Sequence, residues 1–257
     1  KKPIEIANYG KDDSLMVDVT GIAKTTYKMD DKGRVTEARH FGSDESLKEK
    51  NTPKLQADRV LTAISAGAIT KYTYDGDNMM PSKIAFYGKD EQPLGIKAWG
   101  NIASYKLKYT KERNVAEIST YGTDDAPVPL DRDIIGDNVV KLIMSYDDHG
   151  NLIKISFYGK DDNMVIASKL NAAESRRKYD DKRRNTEDAY FGTGGDAINV
   201  NEGGRVYHRI VREYNDDDEL TLNIYYDKDG NEVARETPAE TSAKAMESSS
   251  VPSGNDI

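Results

Sequence analysis

Between residues 103 and 109 the chain alternates strictly: Ala103, Tyr105, Leu107 and Tyr109 are separated by Ser104, Lys106 and Lys108. A period of two sends successive side chains to opposite faces of a strand, so this stretch predicts a half-buried strand with one apolar face. The same period returns at Ala23, Thr25, Tyr27 and Met29, at Ala68, Thr70, Tyr72 and Tyr74, and at Val140, Leu142, Met144 and Tyr146. A less regular copy runs through Val206, His208, Ile210, Arg212 and Tyr214. Each predicted strand ends in a polar turn, best written in DDHGN at 147–151 and DKDGN at 227–231. There Gly or Asn supplies a positive φ and Asp bonds nearby amides. A second strand then leads back. In LIKISFYG, at 152–159, Ile153, Ile155 and Phe157 share one face while Leu152, Lys154, Ser156 and Tyr158 share the other.

The hairpins repeat. An aromatic-Gly pair closes most return strands, at Tyr9-Gly10, Phe41-Gly42, Tyr87-Gly88, Tyr121-Gly122, Tyr158-Gly159 and Phe191-Gly192, with a partial match at Tyr226-Asp227. Successive steps are 32, 46, 34, 37, 33 and 35 residues, which is one unit of about 33–37 residues with a single insertion. An acidic turn follows most of the glycines, and a second glycine comes later in the unit, at Gly21, Gly67, Gly100, Gly136 and Gly204; the fifth unit has Asn171 there instead. One hairpin cannot bury its apolar face in water, whereas stacked hairpins share a continuous core. The predicted fold is therefore all-β: an elongated array of stacked β-hairpin repeats over residues 5–236, with an insertion at 43–66. Within that insertion, Leu55, Val60, Leu61 and Ile64 have helical spacing and predict one short helix. From Thr237 to Ile257 the sequence is small and polar, and predicts a disordered C-terminal tail.

Composition supports a thin-cored molecule: 37% of residues are hydrophobic and 32% charged, and Tyr (16) outnumbers Phe (4) and Trp (1). A net charge of -8 opposes general attraction to nucleic-acid phosphate or anionic lipid, so neither a nucleic acid nor membrane insertion is expected. No apolar run approaches the roughly 18 residues that would span a bilayer. With no cysteine, disulfides, thiolate metal sites and cysteine nucleophiles are all excluded.

YDDHGNLIKISFYG and YDKDGNEVARE resemble the YD-type hairpin repeats of bacterial RHS proteins and the variant MORN-type repeats, in which Tyr-Asp, a Gly-Asn turn and a following strand recur. The unit here is longer, and the turn glycine is missing from YTKERNV, YDDKRRN and YNDDDEL. The resemblance implies β-rich scaffolding, extracytoplasmic in location, that serves as shell, spacer or interaction surface and carries no catalytic residues.

Candidate chemistry is sparse. His40, His149 and His208 fall in three different units without metal spacing, and Asp-Asp pairs are too common for any one to be singled out as an acid and base. No nucleophile elbow or phosphate-cradling loop is present, and an enzyme is not expected. Asp227, Asp229 and Asn231 place oxygens at alternate positions as calcium favours, although turn chemistry accounts for the same residues, so the reading is no cofactor with calcium as the alternative. The rings Tyr9, Phe41, Tyr87, Tyr121, Tyr158 and Phe191 form a column that would stack a glycan or, on the bland reading, brace their own turns. Arg176, Arg177, Lys178, Arg183 and Arg184 make the dense basic cluster, either a dock for an acidic partner or a solvated face. The expected function is a non-catalytic scaffold presenting an extended surface to a protein partner, ahead of a glycan-binding module and a calcium-stiffened spacer.

Overall fold

The sequence period is realised almost wholly as strands in the computed structural model, which describes residues 4–50, 65–130, 135–202 and 204–240. They are β1 (Ile4–Ala7), β2 (Lys24–Met29), β3 (Val35–Phe41), β4 (Ile69–Thr73), β5 (Lys83–Tyr87), β6 (Ser104–Tyr109), β7 (Val115–Tyr121) and β8 (Lys141–Tyr146). Then follow β9 (Leu152–Tyr158), β10 (Glu174–Tyr179), β11 (Asn185–Phe191), β12 (Val200–Glu202), β13 (Arg205–Tyr207), β14 (Arg209–Tyr214), β15 (Leu220–Tyr226) and β16 (Glu232–Glu236). A 3-10 turn at Lys97–Trp99 and a helical turn at 238–240 are the other regular elements among the described residues. The helix expected inside 43–66 lies outside the described residues, as does the tail beyond 240. Thr237 and Glu240, at the start of that tail, form a reciprocal cap: the Thr237 amide and hydroxyl donate to the Glu240 carboxylate at 2.7 and 2.9 Å.

Two compact units divide the chain near residue 140. In the first, β1 to β7 bond side by side in chain order, each pair antiparallel. In the second, β8 to β11 are followed by β14, β15 and β16, while β12 and β13 pair apart as a two-stranded ribbon. The predicted strand from Val206 to Tyr214 is thus broken at His208. The break reverses the frame before it, so Tyr207 (1% exposed) is buried and Val206 (53%) faces water.

The turns explain why the repeat tolerates so much variation. At 147–151 the Gly150 amide donates to the Asp147 carbonyl at 3.0 Å, and the Asp147 amide to the Asn151 carbonyl at 3.0 Å. The turns without glycine keep this pattern, with Arg113 (φ 70°), Arg183 (φ 65°) and Asp218 (φ 66°) in the left-handed region where Gly150 stands elsewhere. The aromatic-Gly turn is a second copy of the same loop: the Gly42 amide donates to the Ser46 carbonyl at 3.0 Å, and Glu45 (φ 58°) is the left-handed residue. Its glycine is there for space. A Cβ on Gly42 would lie 2.9 Å from Asp44 Oδ1, the oxygen that accepts the amide and hydroxyl of Ser46. Asn171 (φ 54°) takes the left-handed place of the later glycine, as asparagine does most readily among residues with a side chain.

Apolar side chains gather on one sheet face in each unit. Phe86, Trp99 and Tyr105 meet edge to face with centroids 5.4–6.3 Å apart in the first unit. In the second, Tyr207 packs edge-on between Tyr190 and Tyr225, over Ala172, Val200 and Ile210. The opposite face was expected to be wet, yet Ser104, Ser119, Ser156 and Ala189 on it are buried as well.

Candidate functional site

That second face carries the aromatic column and a ladder of charges. In five hairpins the return strand ends on its ring, and the ring is covered by a cation from the strand paired with it. Lys24 lies 5.3 Å from the Phe41 centroid, Lys71 4.4 Å from Tyr87, Lys106 3.9 Å from Tyr121, and Arg176 3.8 Å from Phe191. Arg209 continues the series over Tyr226 at 4.2 Å. Phe41, Tyr87, Tyr121, Tyr158 and Phe191 are half-buried, whereas Tyr9 is 58% exposed.

Four residues before the ring, three return strands carry a glutamate that meets a lysine directly opposite. The pairs are Lys28–Glu37 at 2.7 Å, Lys108–Glu117 at 2.9 Å and Lys178–Glu187 at 2.8 Å. Burial pushes the Glu37 carboxyl up, but hydrogen bonds from Arg39 and Lys28 outweigh it and hold the group below its ordinary range. Glu174 behaves in the same way, with burial opposed by bonds from Arg176 and Ser156. Both carboxylates are therefore ionised and locked in place.

The expected basic cluster is internally neutralised. Arg176 binds Glu174 at 2.6 Å, Arg177 lies 3.3 Å from Asp188, Lys178 binds Glu187, and Arg184 binds both Asp180 and Asp218 at 2.7 Å. Arg183 donates to the His149 carbonyl. The cluster does not lie on one face: Arg176 and Lys178 point to the ladder, Arg177 to the opposite face, and Arg183 and Arg184 belong to the turn. Asp227 commits its oxygens to its own turn, accepting the amides of Asp229 and Asn231 at 3.0 and 2.8 Å and the Asn231 side chain at 3.0 Å. Asp229 pairs with Lys228. Among the described residues no three acidic or histidine side chains converge into a metal-binding group, and no helix is long and apolar enough to cross a membrane.

A row of strand-end tyrosines was not singled out from the sequence. Tyr109, Tyr179 and Tyr214 end the first strand of a hairpin and Tyr74 follows directly on β4, and each hydroxyl donates to a backbone carbonyl at or just before the start of the preceding return strand. The acceptors are Val35 (2.8 Å), Pro81 (2.9 Å), Leu152 (3.1 Å) and Asn185 (2.8 Å). Burial raises the Tyr109 hydroxyl to about 12. Turn arginines reinforce the join. Arg34 lies over Tyr74 at 4.5 Å and donates to the carbonyls of Gly76 and Asn78, and Arg184 lies over Tyr214 at 4.7 Å. The legible signal was the tyrosine preceding every turn from 74 onward.

No protein-family model matches the chain, and no curated protein does. Among solved structures, the crystal structure of TcdB2-TccC3-TEV matches over 91% of this chain at 10% identity and a TM-score of 0.36. That of TcdB2-TccC3 without its hypervariable C-terminal region matches over 84% at 13% identity and a TM-score of 0.32. The chain spans 11% and 9% of the length of those two chains.

Proposed function

We infer that the chain is a non-catalytic repeat scaffold whose ladder face is offered to a protein partner. The observation carrying this is the repeated Lys–Glu pairing beneath covered rings. Long side chains normally lose rotamer freedom when a partner binds, at about 0.5–1.5 kcal/mol each. Here Lys28, Lys108, Lys178 and their glutamates are already held, so a partner would meet a charged relief ordered in advance. The lysines remain 61–72% exposed at their ends and keep the reach to make contacts. A sugar ring would need an open aromatic face, and the cations over Phe41, Tyr87, Tyr121 and Phe191 occupy those faces.

The test is retention of proteins from the source cells on the immobilised chain, compared with a variant in which Lys108 with Glu117, and Lys178 with Glu187, are exchanged in polarity. Exchange keeps a Lys–Glu contact in both pairs while inverting the relief, at the loss of the Arg209–Glu187 bond, and circular dichroism checks that the fold is kept. Loss of a retained protein on exchange is the expected result. Equal retention by both chains, or retention of glycans alone, would overturn the reading.

A further inference from the structure

The aromatic-Gly loop carries an acid at its left-handed position in every copy but the last. Three residues after the glycine stand Asp13 (φ 57°), Glu45 (φ 58°), Glu91 (φ 59°), Asp125 (φ 58°) and Asp162 (φ 61°). In the loop after β11 that place belongs to Gly195 (φ 79°). The backbone of the loop is otherwise unchanged: the Gly195 amide donates to the Gly192 carbonyl at 3.0 Å, and the Gly192 amide to the Asp196 carbonyl at 2.9 Å. Three of the loop acids reach cations of the ladder face. Glu45 binds Lys24, the cation over its own hairpin's ring, at 2.5 Å. Glu91 binds Arg39 at 2.8 Å and Asp125 lies 3.8 Å from Lys83, each cation standing on the preceding return strand.

Around Gly195 both kinds of cation are in place and the acid is missing. Arg176 lies over the hairpin's own ring, Phe191, and its Nη2 is 4.0 Å from where a Cβ on residue 195 would sit. Lys154 stands four residues before Tyr158 on β9, the preceding return strand, as Lys83 stands four before Tyr87 on β5. Both turn to one carboxylate instead. Arg176 Nε donates to Glu174 at 2.6 Å, the Ser156 hydroxyl donates to the same group at 2.9 Å, and Lys154 is left 3.7 Å from it. Glu187 is shared in the same way, by Lys178 at 2.8 Å and Arg209 at 3.1 Å. Four cations thus divide two carboxylates. Lys154 and Arg176 stay 42% and 47% exposed on the wall of an open groove of about 670 Å³, lined also by Lys178, Ala189 and Phe191.

We propose that this groove is the socket for an acidic side chain of the protein partner, whose carboxylate takes the place beside Arg176 and Lys154 that a loop acid fills in other hairpins. The proposal rests on the reading that the ladder face meets a protein, and it names the chemistry of the contact. A carboxylate there accepts from the Arg176 Nη groups and the Lys154 ammonium, while Glu174 keeps its bonds from Arg176 Nε and Ser156. The net charge of -8 opposes acidic ligands in general, so binding of one reports the groove and not the overall field.

The test is titration of the full chain with a blocked, fluorescently labelled hexaglutamate peptide at low ionic strength, followed by anisotropy, with carbodiimide coupling to identify the lysine that the bound carboxylate reaches. Binding, with coupling at Lys154, is expected. Affinity should fall about threefold in Lys154→Gln and about tenfold in Gly195→Glu, which supplies the missing acid from within. The left-handed place accepts Glu at 45 and 91, and a Cβ at 195 meets nothing nearer than Arg176, so Gly195→Glu keeps its fold, as circular dichroism checks. Lys111→Gln, which removes one charge from an exposed turn of the first unit, should bind as the native chain does. No binding, coupling outside Lys154 and Lys178, equal affinity in Gly195→Glu, or an equal loss in Lys111→Gln would each overturn the proposal, as would a preference for inorganic phosphate over the peptide. A protein retained in the earlier experiment and unaffected by Gly195→Glu would leave the scaffold reading standing while removing this socket as its basis; peptide binding with no retained protein would do the reverse.

Discussion

Protonating His40 would test how the first unit holds its buried polar groups. The ring is 2% exposed on β3, with Nδ1 3.0 Å from the Thr25 hydroxyl, Nε2 2.6 Å from the Ser65 hydroxyl, and the His40 amide donating to the Ala68 carbonyl. Burial, aided by the charge of Lys50 and opposed by that of Asp18, lowers its pKa from the ordinary 6.5 to about 4. The sign follows from proton counting. Between those two values the unfolded chain binds a proton that the folded chain refuses, so this contribution is intact above about pH 6.5, falls as pH drops, and levels below about pH 4. At about 1.4 kcal/mol per unit the full loss is roughly 3 kcal/mol, and about 2 kcal/mol is gone by pH 5. Trp99, the single tryptophan, is buried against Phe86 in the same unit, so its fluorescence reports urea unfolding there. His40→Gln keeps a donor and an acceptor but does not titrate. Between about pH 7.5 and pH 5 the native chain should lose about 2 kcal/mol more than the variant, with the carboxylates common to both cancelling. Parallel losses would refute a neutral, desolvated His40.

Three further outcomes are expected. Arg113→Gly should stabilise the first unit by about 0.5–1 kcal/mol, because an exposed non-glycine residue at φ 70° carries backbone strain that glycine relieves; the urea midpoint read at Trp99 checks it. Tyr179→Phe and Tyr214→Phe should each cost about 0.5–1.5 kcal/mol through loss of the hydroxyl bonds to Leu152 and Asn185, measured by chemical denaturation followed by far-ultraviolet circular dichroism. Arg205→Met should cost about 3 kcal/mol by removing the guanidinium from the buried Glu236 carboxylate, and should raise amide exchange along β16 before the rest of its unit.

The period-two strands, the turns and the repeat step were legible because each is a local property. Alternation at Tyr105 and Leu107 reads directly as burial, and DDHGN reads directly as a turn. The turns in YTKERNV, YDDKRRN and YNDDDEL read poorly because the left-handed residue is Arg or Asp, held there by the strands on either side despite its own preference. The break at His208 was hidden because Val206 and Tyr207 are both good strand formers and only the ribbon of β12 and β13 decides which is buried. The basic run from 176 to 184 looked like one patch in the chain. A pleat and a turn distribute it over two faces and a loop, where acids from other strands neutralise it. The cations over the rings were equally out of reach, since each comes from an adjacent strand whose register a sequence does not print.

The joins between hairpins also show where an array of this kind yields first. Within each unit a hairpin is tied to its neighbour by backbone pairing, by a tyrosine hydroxyl and, in places, by an arginine lying on that tyrosine. These ties are between nearest neighbours, so local stability depends on how many sides of a strand are tied. Among the described strands β1 pairs with β2 alone, and the residue ending β2, where later hairpins have the latching tyrosine, is Met29, which has no hydroxyl to donate. Its isoleucines are more than half exposed, so little apolar burial makes up for the missing latch.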